Sequence, residues 1–266
     1  MPFAQSQGGV RIDYEIFGTG PLPLLLLHGW GGSASYWREM VQQMELAGLQ
    51  VIVPSYRGHG DSDKPPNGYT VDQFAKDVLA VVGAAGAKRF VLVGFSMSGK
   101  FAQYIAALHR ELVLGLVLIA PVPASEFPIP AEVGRSWCDA QQSRDDFKRI
   151  LAPFVKIPIK AELTEAFLDD FQKAVRVALE QTLQMCAIAL AEPAERIQVP
   201  TLLLAGSYDP LVPPDLLRNR VLSQIVRARM IALPCGHEIP QEMPGQTAAL
   251  LEAFVSGLGR SAMEAA

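Results

Sequence analysis

A serine hydroxyl is barely nucleophilic at neutral pH and needs a base, normally an imidazole that a carboxylate orients. Ser96 lies in Gly94-Phe95-Ser96-Met97-Ser98-Gly99, directly after the apolar run Phe90–Val93 and before a helical pattern. On such a strand-to-helix turn the hydroxyl is held outward, and the helix behind it aims backbone N–H groups at developing negative charge. The chain has four histidines. His109 falls late in the helix after Ser96, where a solvated side chain is expected. His59 lies in a polar loop, and His28 ends an apolar run where it would organise a turn. His237, in Pro234-Cys235-Gly236-His237-Glu238, follows the last apolar run at the C-terminal end of a strand, where reactive loops of a parallel sheet gather. It is the expected base. Asp209, in Gly206-Ser207-Tyr208-Asp209-Pro210, stands at another such end and is the first candidate for the orienting carboxylate. Glu238 ranks second, because an adjacent side chain rarely reaches its neighbour's Nδ1, and Asp215 is more distant.

These groups must be held by a scaffold. The chain has 266 residues, half of them hydrophobic and 19% charged, which is ample for a sizeable core and excludes a disordered or fibrous chain. Short apolar runs at Leu22–Leu27, Leu49–Val53, Phe90–Val93, Leu114–Ile119, Thr201–Ala205 and Ala228–Leu233 have the length and two-sided apolarity of buried parallel strands. An opening hairpin is expected around Gly8-Gly9, with Val10, Ile12, Tyr14 and Ile16 on one face. Helical spacing predicts helices over Tyr36–Leu46, Val71–Gly83, Met97–Leu108 and Pro244–Leu258, the second opened by a Thr70/Gln73 capping box. Strand and helix alternate, so the fold class is α/β with a mostly parallel twisted sheet flanked by helices.

Some eighty residues interrupt that rhythm. A Pro-rich stretch (Pro121, Pro123, Pro128, Pro130) leads into helical patterns around Arg144–Phe154 and Leu163–Leu190. An insertion of this length is expected to be a lid. The division is therefore a core over residues 1–121 and 197–266 and a helical cap over 122–196.

Ser96, Asp209 and His237 follow three successive β-type runs in that order, and on these residues the chain resembles the α/β-hydrolase superfamily. Leu24-Leu25-Leu26-Leu27-His28-Gly29-Trp30-Gly31-Gly32 resembles the family's oxyanion loop. Pro54-Ser55-Tyr56-Arg57-Gly58-His59-Gly60-Asp61-Ser62 resembles its Arg-Gly-x-Gly-x-Ser turn. The resemblance implies an acyl-enzyme on Ser96 with His237 as base and Asp209 as orienter. It also implies backbone N–H groups of Trp30 and Met97 as the oxyanion hole, with the Trp30 ring overhanging the substrate. Arg57 would clamp its loop. The sequence departs from the pattern at Ser98, where the elbow usually has glycine, and at Ser55-Tyr56, which lacks the acidic residue often found before Arg-Gly. The implied activity is hydrolysis of a small carboxylic ester, thioester or lactone. A cofactor-free perhydrolase, a carbon–carbon bond hydrolase and a non-catalytic ligand-binding protein are the alternatives.

Twenty-three basic against twenty-seven acidic residues give a net charge of −4, which speaks against nucleic acid or an anionic membrane as partner. A small-molecule substrate is the expected partner, and no metal or organic cofactor is needed. The three scattered cysteines, Cys138, Cys186 and Cys235, suggest neither a zinc site nor a disulfide framework. With no signal segment or bilayer-length apolar run, a cytoplasmic location is expected. Phe127, Trp137, Phe147 and Phe154 are candidate lid aromatics, and Arg135 and Arg144 are candidate contacts for a substrate carboxylate.

Overall fold

Side chains that are apolar on both faces of a strand can be buried only if both faces of the sheet are covered. The computed structural model, which describes residues 2–190 and 194–264, shows that arrangement. Eight strands, β1 (Phe3–Gln5), β2 (Arg11–Phe17), β3 (Leu22–Leu27), β4 (Leu49–Pro54), β5 (Phe90–Phe95), β6 (Val113–Ile119), β7 (Thr201–Gly206) and β8 (Ala228–Leu233), form one sheet in the order β1-β2-β4-β3-β5-β6-β7-β8. The pairs β1–β2 and β2–β4 are antiparallel and the rest parallel. Every residue of β5 and β7 is buried, whereas the edge strand β8 is only half-buried.

Ten helices accompany the described residues. Those of the core are α1 (Arg38–Gln42), α2 (Val71–Ala84) and α3 (Met97–Leu108). Four more, α4 (Ala131–Asp139), α5 (Arg144–Leu151), α6 (Ala161–Lys173) and α7 (Arg176–Ala187), lie between β6 and β7. The last are α8 (Pro214–Arg220), α9 (Ile239–Glu242) and α10 (Pro244–Glu264). Two glycines show how the sheet is covered. A Cβ at Gly94 would come within 2.7 Å of Ala102 on α3, and one at Gly115 within 2.7 Å of Leu258 on α10. Gly115 is in register with Val91, three residues from Gly94, and side chains alternate along a strand. So α3 and α10 press on opposite faces.

Several expectations need correcting. The segment predicted as a helix over Tyr36–Leu46 forms a 3-10 turn at Ala34–Trp37 and the short α1. The pattern at Leu163–Leu190 is two helices, broken at Ala174–Val175, where the Val175 N–H bonds the Gly58 carbonyl at 2.9 Å. Neither α4 nor α8 was marked by its sequence. The Thr70 hydroxyl accepts from the Gln73 N–H at 3.2 Å, but the Gln73 side chain turns towards Asp77 rather than back to the cap.

The insertion has a small core of its own, with Phe147, Leu168, Phe171 and Leu179 buried together. Its two ends, at Val122, Ala124, Met185 and Cys186, pack in the main core. Residues 191–193 of the expected cap lie outside the described residues. Lys100 on α3, fully buried, gathers both connections: its Nζ donates to the carbonyls of Ser125 (3.0 Å), Cys186 (2.9 Å) and Ile188. Among the described residues, no helix is long and apolar enough to cross a membrane.

Candidate active site

Ser96 joins β5 to α3 with φ 53° and ψ −118°, a conformation a non-glycine residue avoids. Its surroundings impose it. The Ser96 N–H bonds Ile119 O on β6, while its own carbonyl accepts from Gly99 and Val122, each at 2.9 Å. The turn also needs bare backbone on both sides. A Cβ at Gly94 would stand 2.5 Å from Ser98 O, and one at Gly99 2.3 Å from the Pro121 Cβ.

The elbow aims Ser96 at the loops after β7 and β8. Ser96 Oγ lies 2.8 Å from His237 Nε2, and His237 Nδ1 lies 2.7 Å from Asp209 Oδ2. An ionised carboxylate can only accept, so Nδ1 carries the imidazole proton and Nε2 is left to receive one. Backbone N–H groups of Leu211 (2.8 Å) and Val212 (3.1 Å) hold the Asp209 Oδ1. Burial alone would raise the Asp209 pKa, but His237 and these N–H donors outweigh it and hold the carboxyl below its ordinary value. Burial alone would lower that of His237. The charge and hydrogen bond of Asp209 more than offset this, and the imidazole sits above its ordinary 6.5.

Trp30, just past β3, lines the same pocket as Ser96 and His237, and Met97, the buried first residue of α3, directly follows Ser96. Among the described residues, neither backbone N–H donates to a protein acceptor. The Trp30 indole donates to Leu179 O on α7 at 3.0 Å and packs on Trp137 and Phe171. With Phe95, Phe147, Phe154 and Phe167, Trp30 and Trp137 line a largely apolar pocket that also exposes Ser96, His237 and Glu238. Phe127 instead packs against the main core.

The remaining candidates fall elsewhere. Glu238 faces Tyr36, whose hydroxyl donates to its Oε2 at 2.7 Å, and not the Nδ1 of its neighbour. Asp215 is exposed and pairs with Arg218 in α8. Arg144 is tied to Glu165 and Asp169 on the surface, and Arg135 lines a separate groove with Glu180. Arg57 is buried against Asp77 through two hydrogen bonds of 2.6 and 2.7 Å, a structural clamp. His28, whose pKa burial lowers to about 3, turns the loop by bonding Gly29 O and accepting from the Tyr56 N–H. His59 is fully buried within its polar loop. His109 caps the C-terminus of α3. All three cysteines are buried free thiols, pushed up to between about 11 and about 12 by burial.

Three groups of the site were not anticipated. The Glu242 Oε2 accepts from the N–H groups of Gly236 (3.0 Å), Lys156 and Ile157 (both 2.7 Å), pinning the His237 loop to the insertion. Phe154 O accepts from the His237 N–H at 2.7 Å. Ser98, at the departure from the elbow pattern, accepts from the Tyr56 hydroxyl at 2.9 Å and donates to His28 O. Its small side chain therefore fits the turn and ties the elbow to the loop that carries Trp30. The only signals in the sequence were the Glu242 position after His237 and the serine itself.

A family profile described as alpha/beta hydrolase fold matches residues 23–146. The chain is 25% identical over 263 residues to a bifunctional esterase/perhydrolase of Acinetobacter calcoaceticus, covering 92% of this chain and 94% of that one. It is 27% identical over 241 residues to a non-heme chloroperoxidase of Streptomyces lividans, covering 80% and 84%. Among solved structures, an esterase from Exiguobacterium antarcticum superposes with a TM-score of 0.85 at 22% identity, over 96% of this chain and 98% of that one. The mostly parallel sheet, the strained serine turn and these likenesses lead to one conclusion: the chain has the α/β-hydrolase fold.

Proposed function

We propose that the chain is a serine hydrolase that cleaves a small carboxylic ester, thioester or lactone through an acyl-enzyme on Ser96. The observation that carries this reading is the unbroken Ser96–His237–Asp209 hydrogen-bond relay opening into an apolar pocket. Ser96 Oγ attacks the carbonyl carbon while its proton passes to His237 Nε2, and Asp209 stabilises the imidazolium. The carbonyl oxygen, now anionic, takes the N–H groups of Trp30 and Met97. Collapse of the tetrahedral species expels the alcohol, thiol or ring oxygen, protonated by His237. Water then gives a proton to His237 as it attacks the acyl carbon, and collapse releases the carboxylic acid while His237 returns that proton to Ser96 Oγ. The insertion serves as a cap, since Trp137, Phe147, Phe154 and Phe167 cover the acyl site and keep bulk water from it.

A second reading shares the first half of this cycle. The Acinetobacter relative that aligns over 92% of this chain is named as both esterase and perhydrolase. Hydrogen peroxide attacking the acyl-enzyme in place of water would release a peracid and need no cofactor. The test is hydrolysis of p-nitrophenyl esters from acetate to decanoate by the parent and a Ser96→Ala variant, with and without peroxide. Turnover should fall by about 10⁴-fold or more in the variant. An equal rate in both proteins would overturn the acyl-enzyme, and peracid formation would mark the second reading.

A further inference from the structure

Glu238 is a carboxyl group that the hydrolytic cycle does not use. It is 5% exposed, and one oxygen is occupied by the Tyr36 hydroxyl. Burial holds that phenol well above its ordinary pKa, so it remains a donor. The other oxygen, Oε1, has no hydrogen-bond partner among the described residues, yet the residue lines the pocket beside Ser96 and His237. The same lining holds the rings of Trp30, Trp137, Phe147, Phe154 and Phe167, with no lysine or arginine among its residues. The charges of Asp209, Glu238 and Glu242 all act on His237 in the same sense, as a negative field would.

An apolar pocket built for an alkyl chain alone has no use for a buried carboxyl with an open oxygen, because an unpaired buried charge is costly. Aromatic faces with a carboxylate at hand are instead the chemistry that recognises an organic ammonium. The ring quadrupoles attract the soft cation and the carboxylate supplies its counter-charge. The geometry points to a substrate that carries an amine-derived cation, seated on the pocket's aromatic rings with Glu238 Oε1 as its partner. This assignment rests on the serine hydrolase reading and narrows its substrate class. Burial raises the Glu238 pKa above its ordinary value, and a cation seated at Oε1 would oppose that shift. The same field disfavours substrates with a free carboxylate.

Choline and 3,3-dimethyl-1-butanol have the same shape and differ in the charge of one atom, so they isolate the cation. Each is titrated as an inhibitor of p-nitrophenyl butyrate hydrolysis by the parent protein. Choline should inhibit with a constant about tenfold or more below that of the alcohol. Equal or weaker inhibition by choline would overturn the assignment. In Glu238→Gln, whose amide can still accept from Tyr36, the ratio should move towards one, and an unchanged ratio would remove Glu238 from the subsite. The comparison within the parent does not depend on that variant folding. If the parent hydrolyses no ester, the hydrolase reading fails separately, and quenching of tryptophan fluorescence by choline against the alcohol still decides the subsite.

Discussion

As the proposed base, His237 can act only when Nε2 is unprotonated, so the setting of its pKa decides where in pH the proposed reaction can run. Burial pulls that pKa down, but the charge and hydrogen bond of Asp209 lift it above 6.5. Below the folded-state value the imidazole is already charged and cannot take the serine proton. The acid limb of kcat/KM for p-nitrophenyl butyrate should therefore bend above pH 6.5. Asp209→Asn removes the charge and leaves an amide that can also donate, which favours the wrong tautomer. We expect kcat to fall about 10⁴-fold, with the remaining activity bending at a lower pH than in the parent. A profile whose acid limb is the same in both proteins would separate Asp209 from the base. At this scale the sequence was informative where chemistry restricts the residue type. Ser96, Asp209 and His237 meet at 2.8 and 2.7 Å as their positions after three strands implied. It was silent on Glu242 and on the unpartnered oxygen of Glu238. An acidic residue near a histidine looks alike in sequence whether it faces water, a backbone N–H or a pocket.

Elements were legible in proportion to how local their causes are. The runs at Leu22–Leu27 and Ala228–Leu233 and the helix Met97–Leu108 coincide with β3, β8 and α3. Continuous apolarity and helical spacing suffice to specify such elements. The insertion was readable as helical but not as four helices, because tertiary contacts made the breaks: Val175 leaves the helical path to bond Gly58 O. Lys100 is the sharpest case of an element-level role hidden from sequence. A lysine in the first turns of α3 reads as a solvated face, yet it is fully buried on the carbonyls of Ser125, Cys186 and Ile188. Replacing it by methionine keeps the length of the side chain and leaves those carbonyls without their donor. Lys100→Met should cost about 2 kcal/mol of stability, read as a lower urea midpoint at unchanged m. A pH readout distinguishes this role from general damage. Burial lowers the Lys100 pKa to about 8 from an ordinary 10.5. Between those values the unfolded chain binds more protons than the folded one, so this group makes stability rise with pH. The difference in stability between parent and variant should therefore widen as pH climbs from about 8 towards 10.5. A constant difference across that range would show that Lys100 does not titrate as a buried clamp.

At the scale of the whole molecule the question is whether the insertion folds as a unit of its own. Its small core around Phe147, Leu168 and Phe171 would suggest so. Yet α7 is shared, with Leu179 and Leu183 buried in that core and Ala178, Met185 and Cys186 in the main one. Buried polar contacts join the two parts as well. Asp170 on α6 accepts from the hydroxyls of Ser33 (2.6 Å) and Ser35, the Trp30 indole reaches Leu179 O, and Glu242 holds the N–H groups of Lys156 and Ile157. Opening the insertion alone would strand these groups away from their partners, and each buried group left unsatisfied costs about 1–3 kcal/mol. That is comparable with what so small a core can contribute by itself. The insertion and sheet should therefore unfold together. Urea denaturation followed by tryptophan fluorescence, which samples Trp30 and Trp137 at the pocket and Trp37 in the main core, should give the same midpoint as far-UV circular dichroism. Ester hydrolysis should disappear in that same transition, since the His237 N–H is bonded to Phe154 O of the insertion. Two separate transitions, with activity lost in the first, would mean that the α7 contacts yield before the sheet does. The pocket would then open by local unfolding of the insertion, and substrate could enter without any loss of the β-sheet core.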